Sequence, residues 1–536
     1  MFIYILLLAF AIVCFYKSKI SLHMLQQNLY NENNRYLKWV VKNYQNFISF
    51  EIVAIIISAI LAFVALGIEY ISTVILIVLI AIYLYVAYKT RYNIKNSQQK
   101  KPLVVTKRVK RLIFTTTVLY LIPVVLLFLN FDNIIFVNKM IFSLALMLYL
   151  NNFIIFIACM INHPYERGVY HYYKHKAQST LKSMPNLKII GITGSYGKTS
   201  SKNILSDILN IKYNALPTPR NLNTFNGLIM TVNNHMDKFT DIFIAEMGAY
   251  VKGEIKGLCN LVHPKYGILT SIGTAHLESF GSEENIQSGK FELIESLPSD
   301  GIGVLNKDDP KQVSYNLKND VKILWVGIDN KDVDVRAVDI KCNNKGTTFN
   351  VIFKGDKKKY EFQTRLLGKH NVYNILAGLA LGYEFGITIP ELQKAVSGVR
   401  AVEHRLELKK LNGFYMIDDA YNSNPVGAKS AVEVLGMMPG IKVVVTPGMI
   451  ELGKEEAKYN KEFGKQISEV ADYAVLIGEN HTKPIYEGLV NNGFDKDNII
   501  VYNDVRDAYK FINTLINKKE VYALFENDLP DTYNEK

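Results

Sequence analysis

Residues 187–202 read LKIIGITGSYGKTSSK. The apolar run at the front predicts a short buried strand. The glycines at 194 and 197, with Ser195 between them, predict a tight turn, and KTSSK opens a helix. Small residues let backbone N–H groups wrap a phosphate, and a helix N-terminus adds positive potential. Lys198 can then reach the β/γ-phosphates of a nucleotide, and the Thr199 hydroxyl can ligate magnesium, with Ser200 beside it. The generic phosphate-loop pattern asks for glycine at position 192, where this chain has Ile192 between Gly191 and Gly194. Taken alone, the segment also reads as a glycine turn in an ordinary α/β unit.

Downstream, strand-like and helix-like stretches alternate: FIAEMGA, YGILTSIG, a helix from about Glu284 to Leu297, then GIGVLN. That rhythm predicts a mostly parallel sheet with helices on both faces. Residues 333–365 read as a short antiparallel insertion, and a second α/β unit begins near Glu407. Polar residues fall at the carboxyl ends of these strands, where doubly wound sheets bind ligands. They are Glu246 in AEMGA, His276 in TAHLES, Lys290 on the next helix, and Asp418 and Asp419 leading into AYNSNP. Singly, each has a plain reading as a helix cap, a loop histidine, a surface lysine or an Asx turn.

Upstream, the composition changes. The 536-residue chain is 49% hydrophobic, with a net charge of +12. Nearly uncharged runs crowd its first third, at about 2–16, 52–68, 70–88, 112–129 and 140–161. About 20 apolar residues cross a hydrocarbon core, so these read as roughly five transmembrane helices. The loop from Lys89 to Arg111 is strongly basic, while the turn at Glu69 and the loop holding Asp132 and Lys139 are not. Basic loops stay in the cytoplasm, so the alternation predicts an N-terminus outside and everything after Ile161 inside, in a multi-pass plasma-membrane protein. The same placement of charge favours lipid as the partner and no nucleic acid. Asn151 and Asn152 are polar within a span, and Pro123 bends another. Cys14, Cys159, Cys259 and Cys342 form no CxxC pair, which excludes a zinc ribbon or a disulfide framework.

The soluble motifs, taken in order, resemble the Mur ligase family: GSYGKTSSK, TPRNLNTFNG, AEMGAYVKGEI, TSIGTAHLESFGS with Lys290 downstream, GKHNVYNILAGLA, Arg405, DDAYNSNP and PGMIELG. The resemblance covers about Lys188 to Lys536. EMGA with a following GEI, DDAYNSNP and GMIELG most resemble the branch that adds D-alanyl-D-alanine to UDP-N-acetylmuramoyl-tripeptide. The fold it implies is an α-helical transmembrane region (1–161), a juxtamembrane linker (162–186), an α/β phosphate-loop central domain (187–405) and a Rossmann-like C-terminal domain (406–536).

The chemistry it implies is ATP-dependent amide ligation, with ATP phosphorylating the acceptor carboxylate and an amine displacing phosphate. By the same resemblance Gly194, Ser195, Gly197, Lys198, Thr199 and Ser200 hold the nucleotide phosphates, and Lys198, Lys290, His276 and Arg405 are catalytic. Thr199 and Glu246 face a first magnesium, and His276 and Lys290 a second. Lys290 matches a lysine that becomes carbamylated. His370, Asn371 and Asn374 match a nucleotide-facing helix start, Arg405 an interdomain arginine at the phosphates, and Asp419 a ribose contact. Asn221, Asn223, Thr224, Tyr421, Asn422 and Asn424 match substrate-facing loops.

The departure lies at the front. Soluble members carry an N-terminal domain that binds the UDP-sugar, and here apolar segments occupy its place. The acceptor is therefore a small-molecule or a lipid-linked cell-wall precursor, with wall-synthesis proteins as further partners. A poly-γ-glutamate-like polymer is an alternative acceptor. A phosphate-loop ATPase driving transport is an alternative activity, although it leaves Lys290, His276 and Arg405 without a purpose.

Overall fold

A computed structural model describes residues 2–28, 36–42, 69–96, 102–129, 134–411, 413–420, 423–450, 455–517 and 519–528, with a few isolated positions between them. The chain divides into two compact units, Met1–Tyr172 and Tyr173–Lys536.

The first unit is helical. Its long elements are Phe2–Gln27, Glu69–Asn96, Lys107–Leu129, Ile134–Tyr149 and the start of Asn151–Lys182. Leu6, Phe10, Val13, Leu79, Tyr83 and Leu144 pack together as its core. Three helices among the described residues are long and apolar enough to cross a membrane: Phe2–Gln27, Thr73–Lys95 and Lys107–Leu126. The apolar run at 52–68 lies outside the described residues.

Three expectations change here. The first helix is 26 residues long and continues well past position 16. The run 140–161 is not one straight span, because it breaks at Leu150 into two helices that meet at 74°. The break falls at Asn151 and Asn152, whose side chains turn aside into a buried network. Asn151 Nδ2 donates to Ser21 Oγ at 2.9 Å, Tyr120 OH to Asn151 Oδ1 at 2.7 Å, and Ser21 Oγ to Asn152 Oδ1 at 2.6 Å. Asparagine is a poor helix former because its amide competes for local hydrogen bonds. Finally, residues 162–182 of the expected juxtamembrane linker are helical, as part of Asn151–Lys182.

The second unit holds two sheets. Strands β1 (Lys188–Thr193), β2 (Ala215–Pro217), β3 (Ile242–Glu246), β4 (Tyr266–Leu269), β5 (Ile302–Asn306), β6 (Lys322–Gly327), β7 (Val335–Asn343), β8 (Gly346–Phe353) and β9 (Tyr360–Thr364) form one sheet. Its order is β2-β3-β1-β4-β5-β6-β7-β8-β9. The strands up to β7 pair in parallel, and β7, β8 and β9 pair antiparallel. The expected insertion thus extends the main sheet rather than forming a separate one. β3 is buried at every position, as a parallel strand covered on both faces should be, while β8 alternates buried and half-buried side chains.

Strands β10 (Glu407–Lys410), β11 (Tyr415–Asp419), β12 (Ile441–Thr446), β13 (Tyr473–Ile477), β14 (Ile499–Tyr502) and β15 (Val521–Glu526) form the second sheet, in the order β10-β11-β15-β12-β13-β14. Only the β10–β11 pair is antiparallel.

In the first sheet the helix Lys198–Leu209 packs on Lys369–Glu384 through Leu205, Ile208, Ile375 and Leu379. Gly378 permits that approach, since a Cβ there would stand 2.6 Å from Ile208 Cδ1. This packing presents the start of Lys369–Glu384 to the turn after β1.

Candidate active site

β1 lies between β3 and β4, where strand order changes direction, so Ile192–Thr193, Glu246 and Leu269 end side by side. Ligands of open α/β sheets bind at such a switch point. The turn leaving β1 needs its glycines. Gly194 has φ +152°, and a Cβ there would overlap Thr270 Oγ1. Gly197, at φ +80°, immediately precedes the helix Lys198–Leu209. The turn is also tied to the segment after β4. Ser195 N donates to Ser271 O at 2.8 Å, Gly273 N to Ser195 Oγ at 2.9 Å, and Thr270 Oγ1 to Tyr196 O at 2.6 Å.

Lys198 Nζ donates to Gly194 O at 2.8 Å and to Ser195 O at 3.2 Å, so its amine curls over the loop's own carbonyls. Burial pushes its pKa below the usual lysine range; Glu246 opposes that shift and Arg405 adds to it. Thr199 Oγ1 donates to Glu246 Oε1 at 3.1 Å, and Asn223 Nδ2 donates to the same oxygen at 3.1 Å. Ser200 is half-buried on the same helical turn.

Lys290 is 1% exposed on the helix Glu283–Glu295. Its Nζ lies 3.4 Å from Ala249 O and 5.3 Å from the Phe280 ring centroid. Burial, with Lys198 adding, pushes its pKa down to about 7, against Glu254 and Glu292. His276 stands on left-handed backbone at φ +62°, its ring 4.5 Å from that of Tyr250. Burial, then Lys290 and Lys198, lower its pKa. Three nitrogen bases thus lie within electrostatic reach of one another beside the loop.

Asn374 reaches the loop, close enough that a Cβ at Gly197 would stand 3.4 Å from its Oδ1. Asn371 Nδ2 donates back to Leu367 O at 2.9 Å. His370 turns toward the second sheet's helix Pro425–Gly436, its Nδ1 3.1 Å from Ser430 Oγ, and burial pushes its pKa down to about 4. Arg405 sits between two residues of left-handed backbone, His404 at φ +59° and Leu406 at φ +46°. Leu406 N donates to Asp419 Oδ1 at 3.1 Å. Burial would raise Asp418, but Lys409 Nζ at 2.6 Å and His404 Nδ1 at 2.8 Å outweigh it and hold its carboxyl below the usual range.

Two expected substrate residues cap helices. Thr224 Oγ1 accepts from Gly227 N at 3.3 Å, and Asn424 Oδ1 accepts from Gly427 N at 3.0 Å. Asn221 is exposed on the loop between β2 and the helix Phe225–His235. Tyr421 and Asn422 lie outside the described residues.

A Mur ligase middle-domain model matches residues 192–382, and a Mur ligase glutamate-ligase-domain model matches residues 404–525. The UDP-N-acetylmuramoyl-tripeptide--D-alanyl-D-alanine ligase of Bacillus subtilis is 33% identical over 338 residues, covering 62% of this chain and 72% of that one. This chain belongs to the Mur ligase family. The Escherichia coli ligase of the same name is 29% identical over 343 residues, covering 63% of this chain and 75% of that one. Among solved structures, MurF ligase from Thermotoga maritima in complex with ADP superposes with a TM-score of 0.59 at 26% identity, covering 67% of this chain and 80% of that one. MurF from Acinetobacter baumannii gives 0.60 at 25%, covering 67% and 78%. Mur ligases are ATP-dependent amide ligases, and so is this enzyme; members of the family use magnesium.

The residues present fit magnesium. Thr199 and Glu246 offer hard oxygen donors at adjoining points. Among the described residues there is no group of three or more His, Cys, Asp or Glu placed to hold a metal. That is the pattern for a magnesium ion held by one carboxylate, a hydroxyl, water and substrate phosphates, rather than for an all-protein cage.

Sequence reasoning overlooked two groups. Lys202, within the opening motif itself, is 1% exposed and pairs with Glu246 Oε2 at 3.1 Å. Its spacing of three from Thr199, which puts both on one helix face, was the available signal. Glu526, the acid that ends the apolar strand VYALFE, is also 1% exposed.

Proposed function

We propose that this Mur ligase adds D-alanyl-D-alanine, or a related amine, to a muramoyl-peptide cell-wall precursor. The identity to the Bacillus subtilis ligase supports that substrate class. The observation that carries the chemistry is the Thr199–Glu246 contact beneath a phosphate loop whose lysine is Lys198.

In this reading Lys198 leaves the loop carbonyls for the β/γ-phosphates of ATP. Backbone N–H groups of the 194–199 turn and the helix start take the remaining oxygens. Asn374 packs behind the turn, Arg405 meets the phosphates, and Asp419 meets the ribose. Magnesium, when bound, neutralises charge on the transferring phosphoryl group. The acceptor carboxylate attacks the γ-phosphorus, ADP leaves, and an acyl phosphate forms. The amine then adds to the acyl carbon, and phosphate departs as the amide closes. Lys290, whose pKa of about 7 leaves a substantial share of its amine unprotonated at neutral pH, can take up carbon dioxide as a carbamate and so offer an anion toward a second magnesium with His276. Asn221, Asn223 and Thr224 border the acceptor's approach, with Asn424 on the 406–536 side; Tyr421 and Asn422 are assigned to the same substrate by the family resemblance alone.

We further infer that the apolar helices of the first unit hold the enzyme in the plasma membrane, with residues 187–405 and 406–536 as catalytic domains on the cytoplasmic side. The matched residues begin at Ile192, beyond those helices. A lipid-linked acceptor is the second reading that this arrangement favours.

The test is ligation by the full-length enzyme in detergent, with UDP-N-acetylmuramoyl-tripeptide and D-alanyl-D-alanine, reading phosphate release and product mass together. A pentapeptide product supports the reading down to substrate. ATP turnover only with a lipid-linked acceptor or another amine would replace it.

A further inference from the structure

Glu246 ends β3 with its two carboxylate oxygens in different hands. Oε1 receives Thr199 Oγ1 and Asn223 Nδ2, both at 3.1 Å. Oε2 lies 3.1 Å from Lys202 Nζ, and both side chains are 1% exposed. The same ammonium donates to Arg220 O. Arg220 stands on left-handed backbone at φ +49°, in the loop that carries Asn221, Asn223 and Thr224. That loop is further fixed to β3, where Glu246 N donates to Thr218 Oγ1 at 3.2 Å.

We propose that Lys202 is a positioning residue of the magnesium site. It holds Glu246 through Oε2, so that Oε1 alone is presented beside Thr199, and it ties that carboxylate to the Arg220 turn of the acceptor loop. Lys202 touches neither metal nor substrate; it acts through Glu246 and the Arg220 carbonyl. The inference rests on the reading of Glu246 as a magnesium-facing carboxylate. A buried cation beside a metal carboxylate has two opposed effects. As a charge it repels magnesium, so its loss would lower the magnesium requirement. As a clamp it selects one rotamer of a side chain that otherwise has several, so its loss would raise the requirement. Two fixed donors converge on Oε1, and Lys202 makes the ion pair at Oε2, which favours the clamp. Groups that orient metal ligands typically contribute about 10–100-fold in metal affinity.

The experiment is calorimetric binding of ADP to the full-length enzyme in detergent over a magnesium series, for wild type, Glu246→Ala and Lys202→Met. The expected result for Lys202→Met is a rise of about 10–100-fold in the magnesium needed for half-maximal ADP binding. ADP affinity in chelator should be unchanged, and amide exchange should be faster across residues 218–224. An ion pair that serves stability alone would lower the melting temperature and leave the magnesium curve where it is, which overturns the proposal. A lower magnesium requirement would also overturn it, because Lys202 would then act only as a repelling charge. If Lys202→Met does not fold, Lys202→Gln, which is uncharged and one atom shorter and so loses the ion pair at Oε2, must show a shift in the same direction; a curve matching wild type overturns the proposal. Wild-type binding indifferent to magnesium, or a Glu246→Ala curve matching wild type, would instead remove Glu246 from the metal site.

Discussion

Asp419 and Glu526 end the adjacent parallel strands β11 and β15 in direct register, bringing two carboxyl groups together at the carboxyl ends of two interior strands of the second sheet. Ser423 Oγ donates to Glu526 Oε1 at 2.6 Å. Burial, then Asp419, push Glu526 well above the usual carboxylate range. Burial pushes Asp419 up to about 6, Asp418 adding to it, while Leu406 N, Glu526 and Arg405 oppose. Like charges this close share a proton. Both folded-state values exceed the unfolded ones, so the native state holds more protons than the unfolded chain from about pH 4 upward through pH 6. This pair therefore makes the fold less stable as pH rises through that window. Glu526→Gln should raise the melting temperature at pH 8 more than at pH 5, and equal shifts at both would count against a shared proton.

The lysine at 290 gives a prediction with its own spectroscopic signature. A carbamate forms when a neutral amine attacks carbon dioxide and releases a proton, so it needs the low pKa of about 7 that burial gives this side chain. Under carbon-13 bicarbonate, a carbamate resonance should grow between pH 6 and pH 8 and vanish in Lys290→Ala. Loss of one fixed group at the transferring phosphoryl costs about 10²–10³-fold in turnover. Lys290→Ala should lose that much, and formate or acetate should restore part of it. A fully active enzyme in carbon-dioxide-free buffer would remove the carbamate from the mechanism.

Gly194 tests the loop itself. Its φ of +152°, with the overlap that any Cβ would make with Thr270 Oγ1, leaves an alanine nowhere to go without moving the β4 side of the site. Residues held in such backbone regions cost about 1–3 kcal/mol. Gly194→Ala should lower stability by at least that much and abolish ADP binding. Gly355→Ala, also at positive φ but with nothing within 4 Å of its added Cβ, should destabilise while leaving ADP binding intact. Equal ADP affinities in the two variants would show that the loop tolerates the rearrangement.

How much of this was legible in the sequence depended on range. β1, its turn and its helix are contiguous, so composition alone fixed their order, and Glu246 at a strand end was found by the same logic. Lys202 stood in plain view in KTSSK, but its partner lies on another strand, and only the fold brings them together. Thr224 and Asn424, read as substrate-facing, also cap helices, a contact that depends on where each helix begins in the fold. The apolar run at 140–161 has the length of a span, and hydropathy does not register a 74° break, which falls where Asn151 hydrogen-bonds to a distant helix.

That break gives the last prediction. Ser18 Oγ donates to Asn151 Oδ1 at 2.9 Å, and Tyr120 OH donates to the same oxygen, so three helices of the first unit meet at one asparagine. In an apolar bundle such interhelical hydrogen bonds are worth about 1–2 kcal/mol in model peptides and less in natural proteins. If the helices lie in a bilayer, the enzyme should stay with the membrane pellet through alkaline carbonate and leave it only in detergent. Asn151→Leu should keep that behaviour, since it adds apolar surface, yet lower the bundle's resistance to protease in detergent. Cysteines placed in the basic 89–111 segment, which joins the ends of the helices Glu69–Asn96 and Lys107–Leu129, should be shielded from an impermeant thiol reagent in intact cells. Release by carbonate would show that the helices pack against protein rather than lipid.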